Sequence, residues 1–193
     1  MKLLRFKSKI PYGANTNLLK CGNEAVLIDP TVSVADISDD IKDTKIKYIV
    51  ITHAHFDHIL TLGEWQEVTQ APILTGEADV LAIGDSYLNC SRSFLGSEIS
   101  YSGEVSGLNE SDQLIIFGET ISVINTPGHT CGAIALYAEP NLIVGDTVFS
   151  GGGIGRTDLP GSDYHQLVKS IEKIRSFPCG TVIYPGHGEF FTI

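Results

Sequence analysis

Five of the six histidines in this chain lie in three short motifs, and an aspartate motif lies between the last two. Imidazole and carboxylate groups together suit zinc, iron or manganese, and two residues do not fill the coordination shell of such an ion. The ligands must therefore be gathered from distant segments, and these motifs predict a metal site. They are Thr52-His53-Ala54-His55-Phe56-Asp57-His58, Pro127-Gly128-His129-Thr130, Gly145-Asp146-Thr147 and Pro185-Gly186-His187-Gly188.

Each motif directly follows an apolar run that is typical of a buried strand. Loops at the ends of strands, on a rigid sheet, are where α/β proteins usually place their chemistry. The four runs are Lys47 to Thr52, Glu119 to Thr126, Asn141 to Val144 and Thr181 to Tyr184.

Side chains two residues apart in extended backbone point to the same side, so His53 and His55 can hold one ion. Asp57 and His58 come where the chain turns into a predicted helix, from Ile59 to about Gln70, and they can face a second ion. A single buried histidine is more often a satisfied core residue than a ligand. Five histidines placed after strands favour metal binding instead.

The sixth histidine, His165, does not belong to this pattern. It lies in a polar helix predicted to start near Ser162, and we interpret it as a solvated surface residue.

The motifs resemble those of the metallo-β-lactamase fold hydrolases, whose signature is THxHxDH followed by distant His, Asp and His. Within that superfamily the chain looks most like the short glyoxalase II-like (hydroxyacylglutathione hydrolase-like) enzymes, on the strength of Gly155-Arg156-Thr157-Asp158 and the motifs above. The resemblance implies an α/β fold, the αββα sandwich, with two mixed β-sheets and helices on the outer faces. It implies one such domain over residues 1–193.

The resemblance also implies a role for each candidate ligand. His53, His55 and His129 would bind a first divalent ion, Asp57, His58 and His187 a second, and Asp146 would bridge them. Zinc is the expected metal, with iron or manganese as alternatives.

The implied reaction is hydrolysis of a small-molecule thioester, such as S-lactoylglutathione or a related acyl thioester. A metal-bridging hydroxide would attack the carbonyl carbon, because bound water loses its proton near neutral pH. Asp57 would act both as a ligand and as the catalytic residue that orients this nucleophile.

Several other activities use similar ligands. A mononuclear iron persulfide dioxygenase shares the GRTD stretch, although those enzymes more often carry alanine where Gly186 stands. A lactonase or another ester hydrolase would use the same hydroxide. A domain in which metals only brace the fold is disfavoured, since structural zinc sites are usually closed and rich in cysteine.

Residues around the centre are assigned less directly. Arg156 and Asp158 can form a pair that fixes the ligands, or a plain surface salt bridge. Asn89 and Ser91 lie in a polar segment that can line the substrate pocket, although such loops often merely turn. Cys131, two residues after His129, is interpreted as a buried, inert thiol.

Composition limits the partners. The net charge of −10 argues against a nucleic-acid partner and hence against a nuclease, because binding to phosphates needs clustered Lys and Arg. The N-terminal apolar residues are interrupted by charges and no stretch approaches a membrane span, so we expect a cytoplasmic protein without a membrane partner. The four scattered cysteines are expected to be free thiols.

Longer glyoxalase II enzymes carry a C-terminal helical domain that holds glutathione, whereas this sequence ends five residues after Gly188. We therefore expect a different thiol carrier or a looser thioester specificity. The sequence leaves the oligomeric state open.

Overall fold

The computed structural model describes residues 1–193, which form twelve strands, five α-helices and four short 3-10 turns. The strands are β1 (Lys2–Phe6), β2 (Thr16–Cys21), β3 (Glu24–Ile28), β4 (Lys45–Ile51), β5 (Ile73–Gly76), β6 (Val105–Leu108), β7 (Gln113–Ile116), β8 (Glu119–Asn125), β9 (Ile134–Ala138), β10 (Asn141–Gly145), β11 (Val182–Pro185) and β12 (Phe191–Thr192). The helices are α1 (Ser38–Ile41), α2 (Leu62–Thr69), α3 (Val80–Ile83), α4 (Ser91–Leu95) and α5 (Tyr164–Arg175).

The strands form two six-stranded sheets. The first has the order β1-β2-β3-β4-β5-β6, with antiparallel pairing up to β3 and parallel pairing from β3 to β6. The second has the order β12-β11-β10-β9-β8-β7, in which only β10 and β11 pair in parallel. Both sheets are therefore mixed.

The apolar strands bury both of their faces, because successive side chains point to opposite sides. In β3, Val26 and Ile28 join the core between the two sheets. Ala25 and Leu27, on the opposite face, pack in the cluster that contains Trp65 of α2. The first sheet thus has the second sheet on one side and helices on the other.

The second sheet repeats this arrangement. In β10, Ile143 joins the core between the sheets, whereas Leu142 and Val144 pack with Leu167 and Ile171 of α5. The layers run helix, sheet, sheet, helix, which confirms the predicted αββα sandwich. None of the helices is both long and apolar enough to cross a membrane.

The helix predicted from Ile59 begins three residues later, at Leu62. Phe56–His58 form a 3-10 turn instead. Thr61 then anchors the chain, because its backbone N–H donates to the Pro30 carbonyl and its hydroxyl donates to the Val32 carbonyl.

The four motifs meet where the ends of strands from both sheets approach each other. The Ile134 N–H donates to the carbonyl of Thr52 at 2.9 Å, which ties β9 to the loop after β4. Likewise, the Gly186 N–H donates to the carbonyl of Gly145 at 2.8 Å. The fold therefore gathers segments that are distant in sequence at one edge.

Candidate metal centre

His53, His55 and His129 form a buried cluster, here called the three-histidine group. His53 and His55 follow β4, and His129 lies in the loop after β8. His55 Nδ1 lies 3.1 Å from His53 Nε2 and 3.0 Å from His129 Nε2. For comparison, nitrogens about 2.1 Å from a tetrahedral ion lie about 3.4 Å apart.

Hydrogen bonds at the outer ring nitrogens of this group determine which nitrogens keep a free lone pair. The Thr52 hydroxyl donates to Asp29 Oδ2 at 2.8 Å, so its oxygen is free to accept from His53 Nδ1 at 3.3 Å. His129 Nδ1 lies 2.9 Å from the Arg156 carbonyl and donates to it. The Nε2 lone pairs of His53 and His129 consequently both face His55.

A single proton on His55 Nδ1 satisfies only one of the two lone pairs that it faces, whereas a cation between the rings is bound by all three. The arrangement fits a metal ion better than a set of hydrogen bonds.

Asp57, His58 and His187 form the second cluster, here called the mixed group. Asp57 and His58 lie in the 3-10 turn, and His187 lies in the loop after β11. His187 Nε2 is 3.1 Å from Asp57 Oδ2. His58 Nδ1 is 3.0 Å from Asp29 Oδ2, which leaves His58 Nε2 facing the other side chains of the site.

Asp146 lies between the two groups. Its Oδ1 is 3.5 Å from His58 Nε2, and its Oδ2 is 3.6 Å from His187 Nε2 and 3.8 Å from His129 Nε2. The structure thus brings together all seven side chains that were predicted as ligands.

The electrostatics differ between the groups. The pKa of His53 lies well below its ordinary value because of burial and then the nearby His58 and His129. Burial, followed by His129, lowers the pKa of His55 to about 3. These rings are therefore neutral at pH 7, the form in which imidazole binds metal.

In the mixed group the balance is reversed. Burial lowers the pKa of His58, but the charges of Asp29 and then Asp146 outweigh it and the pKa ends well above its ordinary value. Burial raises the pKa of Asp146, but its contact with His58 outweighs this and the pKa is lowered. Positive charge is thus favoured between His58 and Asp146.

Three buried polar atoms of the candidate ligands have no hydrogen-bond partner, namely His55 Nε2, His58 Nε2 and Asp146 Oδ1. Buried polar atoms are nearly always paired, so such atoms call for an explanation. His58 Nε2 and Asp146 Oδ1 lie 3.5 Å apart within the seven-residue cluster, and a bound divalent cation would satisfy both. The residues present therefore fit divalent metal ions.

Two buried carboxylates, which the sequence motifs did not reveal, support the ligand loops. Asp29 accepts from the Thr52 N–H at 2.7 Å and contacts His58. Asp79 accepts from the Ala54 N–H at 2.9 Å and the Thr130 hydroxyl at 2.7 Å, and it thereby joins the loop of His53 and His55 to that of His129. The position of Asp29 directly after a buried strand is the signal that could have identified it.

The loop carrying His187 is held by the N-terminal segment. Asn15 Nδ2 donates to the carbonyl of Gly186 at 2.8 Å, and Arg5 donates to the carbonyl of Pro185 at 2.6 Å. A Cβ at position 186 would lie only 2.2 Å from Asp146 Oδ1. Glycine at this position is what allows the Asp146 carboxylate to lie between the groups.

Arg156 and Asp158 form a bidentate ion pair, with both nitrogen–oxygen distances 2.7 Å. Both side chains are mostly exposed. The pair corresponds to the surface salt bridge, one of the two predicted alternatives. Only the backbone carbonyl of Arg156 touches a candidate ligand, through His129.

The structure corrects the expectation that Asn89 and Ser91 line the pocket. Both residues are fully buried, and the Asn89 side chain donates to the carbonyl of Ile99 at 2.7 Å and accepts from the Ser91 N–H at 2.9 Å. Polar side chains in this loop satisfy each other locally. Their neighbours Cys90 and Phe94 line the cavity beside the histidines instead.

The other expectations for single residues are mixed. His165 is exposed on α5, as predicted, and all four cysteines are free thiols. Cys131, however, is exposed rather than buried. Its pKa is raised by partial burial and by Asp79, which agrees with an unreactive thiol.

Comparison with known sequences identifies the family. The family model described as metallo-beta-lactamase superfamily matches residues 10–187. The chain belongs to this superfamily. Relatives within it include "Probable metallo-hydrolase YqgX" of Bacillus subtilis, 31% identical over 92% of this chain and 86% of that protein. The hydroxyacylglutathione hydrolase of Blochmanniella pennsylvanica is 29% identical over 90% of this chain and 62% of that protein.

Solved structures of the metallo-β-lactamase superfamily agree with the fold. BLEG-1 B3 metallo-beta-lactamase superposes with a TM-score of 0.91 at 31% identity, covering 99% of this chain and 94% of that chain. TTHA1623 in a di-iron-bound form superposes with a TM-score of 0.83 at 28% identity, covering 100% of this chain and 94% of that chain. The resemblance inferred from the motifs is therefore confirmed, and the hydrolase names of the relatives support a metal-dependent hydrolase.

Proposed function

We propose that this superfamily member is a two-metal hydrolase of small-molecule thioesters. The observation that carries the proposal is the convergence of seven His and Asp side chains, in which Asp146 lies within 4 Å of His58, His187 and His129 and so links the two groups. The three-histidine group would hold one divalent ion, the mixed group would hold the second, and Asp146 would contact both.

When bound, divalent ions supply Lewis acidity and bring the pKa of a bound water toward neutrality. The protein residues supply the remaining functions. In the three-histidine group, burial keeps His53 and His55 neutral. The outer nitrogens of His53 and His129 are held by Thr52 and by the Arg156 carbonyl, so these two rings are already oriented to bind an ion and need little reorganisation.

Asp57 is the residue that we assign to proton handling and orientation. Burial raises the pKa of its carboxyl group, but the hydrogen bond with His187 and the charge of His58 outweigh this and the pKa is lowered. Asp57 is therefore ionised at neutral pH. Because it also lines the cavity, its carboxylate can orient an attacking water and accept its proton.

The thioester assignment is supported by the hydroxyacylglutathione hydrolases among the relatives. A thioester also suits the chemistry, because its carbonyl is open to attack by hydroxide and its thiolate leaves readily. We propose zinc as the metal. The di-iron form of TTHA1623 makes iron the first alternative to test.

Gly186 favours the two-metal hydrolase over the mononuclear dioxygenase. The dioxygenases more often carry alanine at this position, and a Cβ here would conflict with Asp146 Oδ1 at 2.2 Å. With glycine, the Asp146 carboxylate has room to contact both groups.

The test combines metal analysis with a substrate panel. We expect about two ions per chain in the freshly purified protein, and hydrolysis of S-lactoylglutathione or another acyl thioester. The same preparation would be assayed with a lactone, a β-lactam and a simple oxygen ester. One iron per chain together with oxygen consumption on a persulfide would replace the proposal by the dioxygenase. Hydrolysis of the lactone alone would replace it by a lactonase.

A further inference from the structure

Three aromatic rings form a row beside the candidate metal centre. The Tyr12 ring centroid lies 5.7 Å from that of Phe56, and the Phe56 centroid lies 6.2 Å from that of Phe94. We call Tyr12, Phe56 and Phe94 the aromatic wall. The wall borders a cavity of about 230 Å³ that is also lined by His55 and Asp146.

Two rings of the aromatic wall are open to solvent. Tyr12 is 44% exposed and Phe94 is 52% exposed, although each lies against another large apolar side chain. Adjacent exposed apolar groups at a concave site mark binding surfaces, whereas single exposed apolar residues need no explanation. The wall therefore offers apolar area that a ligand would remove from water.

The cavity has a single Lys or Arg side chain in its lining, and this side chain is already paired with a carboxylate. It is Arg156. Its guanidinium is paired with both carboxylate oxygens of Asp158 and lies 5.3 Å from the centre of the Phe94 ring. No unpaired side-chain cation is left to bind a carboxylate or a phosphate of a substrate.

The cavity volume indicates the size of group that fits. A dry engineered cavity of about 150 Å³ accommodates benzene. The cavity here, at about 230 Å³, has room for a ring or a short alkyl chain together with the reacting carbonyl.

We propose that the aromatic wall is a subsite for an uncharged, apolar group of the substrate, attached next to the reacting carbonyl. This proposal rests on the thioester hydrolase activity proposed above and specifies its substrate class. The apolar group belongs to the acyl part or to the thiol part, and the two parts can be varied separately. The polar glutathione moiety, which carries two carboxylates and one ammonium group, is disfavoured as the occupant of this subsite.

The test measures kcat/KM of the metal-loaded protein on two series of thioesters. The first series keeps a small neutral thiol and lengthens the acyl group from acetyl through butyryl and hexanoyl to phenylacetyl. The second series keeps acetyl and changes the thiol from a small neutral one to benzyl mercaptan and to glutathione. We expect kcat/KM to rise by about tenfold or more with apolar size in one series.

Substitution of Phe94 tests whether the dependence of kcat/KM on apolar size arises at the aromatic wall. Phe94→Ala should reduce kcat/KM for the most apolar substrate by about tenfold, and for the acetyl ester of the small thiol by less than about threefold. Phe94→Leu should restore most of the loss, because it retains apolar area. The matched control is Phe117→Ala, which removes another exposed ring (62%, against 52% for Phe94) at the β7–β8 turn, at the opposite end of β8 from His129.

The outcomes separate this proposal from the one on which it rests. If thioesters are hydrolysed with no dependence on apolar size, or if Phe94→Ala and Phe117→Ala behave alike, the subsite is refuted and the hydrolase stands. If no thioester is turned over, the proposed activity is refuted. Calorimetric binding of phenylacetate against acetate to wild type and Phe94→Ala then still tests the subsite. A preference for phenylacetate that the Phe94 substitution removes would support it, and equal binding would refute it.

Discussion

The two halves of the candidate metal centre are built differently. The three-histidine group offers only nitrogen atoms and is almost completely buried, and burial lowers the pKa of His53 and of His55. The mixed group contains a carboxylate, and its His187 side chain is 34% exposed. One half is therefore a buried pocket of imidazoles, whereas the other is partly open to solvent and carries charge.

Buried carboxylates also support the two halves, but unequally. Asp79 ties together the two loops of the three-histidine group. Asp29 contacts His58 of the mixed group directly, and it reaches His53 of the three-histidine group only through the Thr52 hydroxyl. Loss of Asp79 should therefore disturb the three-histidine group, whereas loss of Asp29 should disturb the mixed group most strongly.

The largest effect is expected at the residue that the halves share. Asp146→Ala should reduce bound metal from about two ions to less than one and bring turnover below detection, because both groups lose the same carboxylate. His55→Ala should also abolish turnover but should leave the mixed group able to bind. Elemental analysis alongside the activity assay distinguishes the two patterns. Full activity in either variant would contradict the two-metal arrangement.

A smaller but still severe effect is expected from Gly186→Ala. The new Cβ would lie 2.2 Å from Asp146 Oδ1, and it must displace the carboxylate or the loop of His187. We expect loss of the ion of the mixed group and a fall in kcat of about a hundredfold. The control is Gly153→Ala, whose Cβ would meet only ordinary contacts with Phe149. Retention of two ions in Gly186→Ala would show that the site relaxes at little cost.

The two supporting carboxylates should have different effects when substituted. Asp79→Asn should weaken metal binding at the three-histidine group by about 10- to 100-fold. Asp29→Asn should weaken binding by a similar factor at the mixed group, and by less at the three-histidine group, which it supports only through Thr52. Competition with a chelator measures the two affinities without any substrate. If both variants weaken the binding of both ions equally, the two halves form a single cooperative unit and are not supported separately.

Acid should remove the ions in a defined order. Protons compete with metal for imidazole. The raised pKa of His58 means that protonation competes in the mixed group even near neutral pH. The pKa of His55 is lowered to about 3 and that of His53 lies well below its ordinary value, so protons compete with metal at these two rings only in strong acid. As pH falls from 7 toward 4, one ion should therefore leave before the other, which metal analysis after dialysis at each pH would detect. Simultaneous loss would contradict this order.

The smallest effect is expected at Asn89, whose segment contacts the turn between the two halves. The Asn89 carbonyl accepts from the N–H of Phe56, between His55 and Asp57. Asn89→Ala removes two buried side-chain hydrogen bonds and should lower the free energy of unfolding by about 1–3 kcal/mol. Ratios of kcat/KM among thioesters should stay within about twofold. The control is Asn109→Ala at an exposed asparagine, and denaturant unfolding is the measurement. A changed substrate preference would return Asn89 to the pocket.

The clustering of the candidate ligands could be predicted from the sequence, because each of them stands in a short motif that follows an apolar strand. The layers followed from the resemblance rather than from periodicity, since strands buried on both faces carry no alternating pattern. Asp79 could not be predicted, because it supports its loops from a turn that is 25 residues from Ala54 and 51 from Thr130.

Asn89 and Ser91 show the opposite error. Their residue types suit ligand binding, but asparagine and serine in loops equally bond their own neighbours, and only packing decides between the two. The aromatic wall was missed for a related reason. Tyr12, Phe56 and Phe94 lie in three separate segments without a shared motif, and only the tertiary fold places their rings together.

Asp57 and His187, whose side chains touch in the mixed group, are 130 residues apart in the chain. Bringing such distant residues together costs conformational entropy, which the packing of the two sheets helps to offset. An ion that binds only the folded chain adds to its stability in proportion to the logarithm of ion concentration. Bound metal should therefore raise the unfolding midpoint, and a substitution deep between the sheets should lower apparent metal affinity, without touching a ligand, once it leaves an appreciable fraction of the chain unfolded.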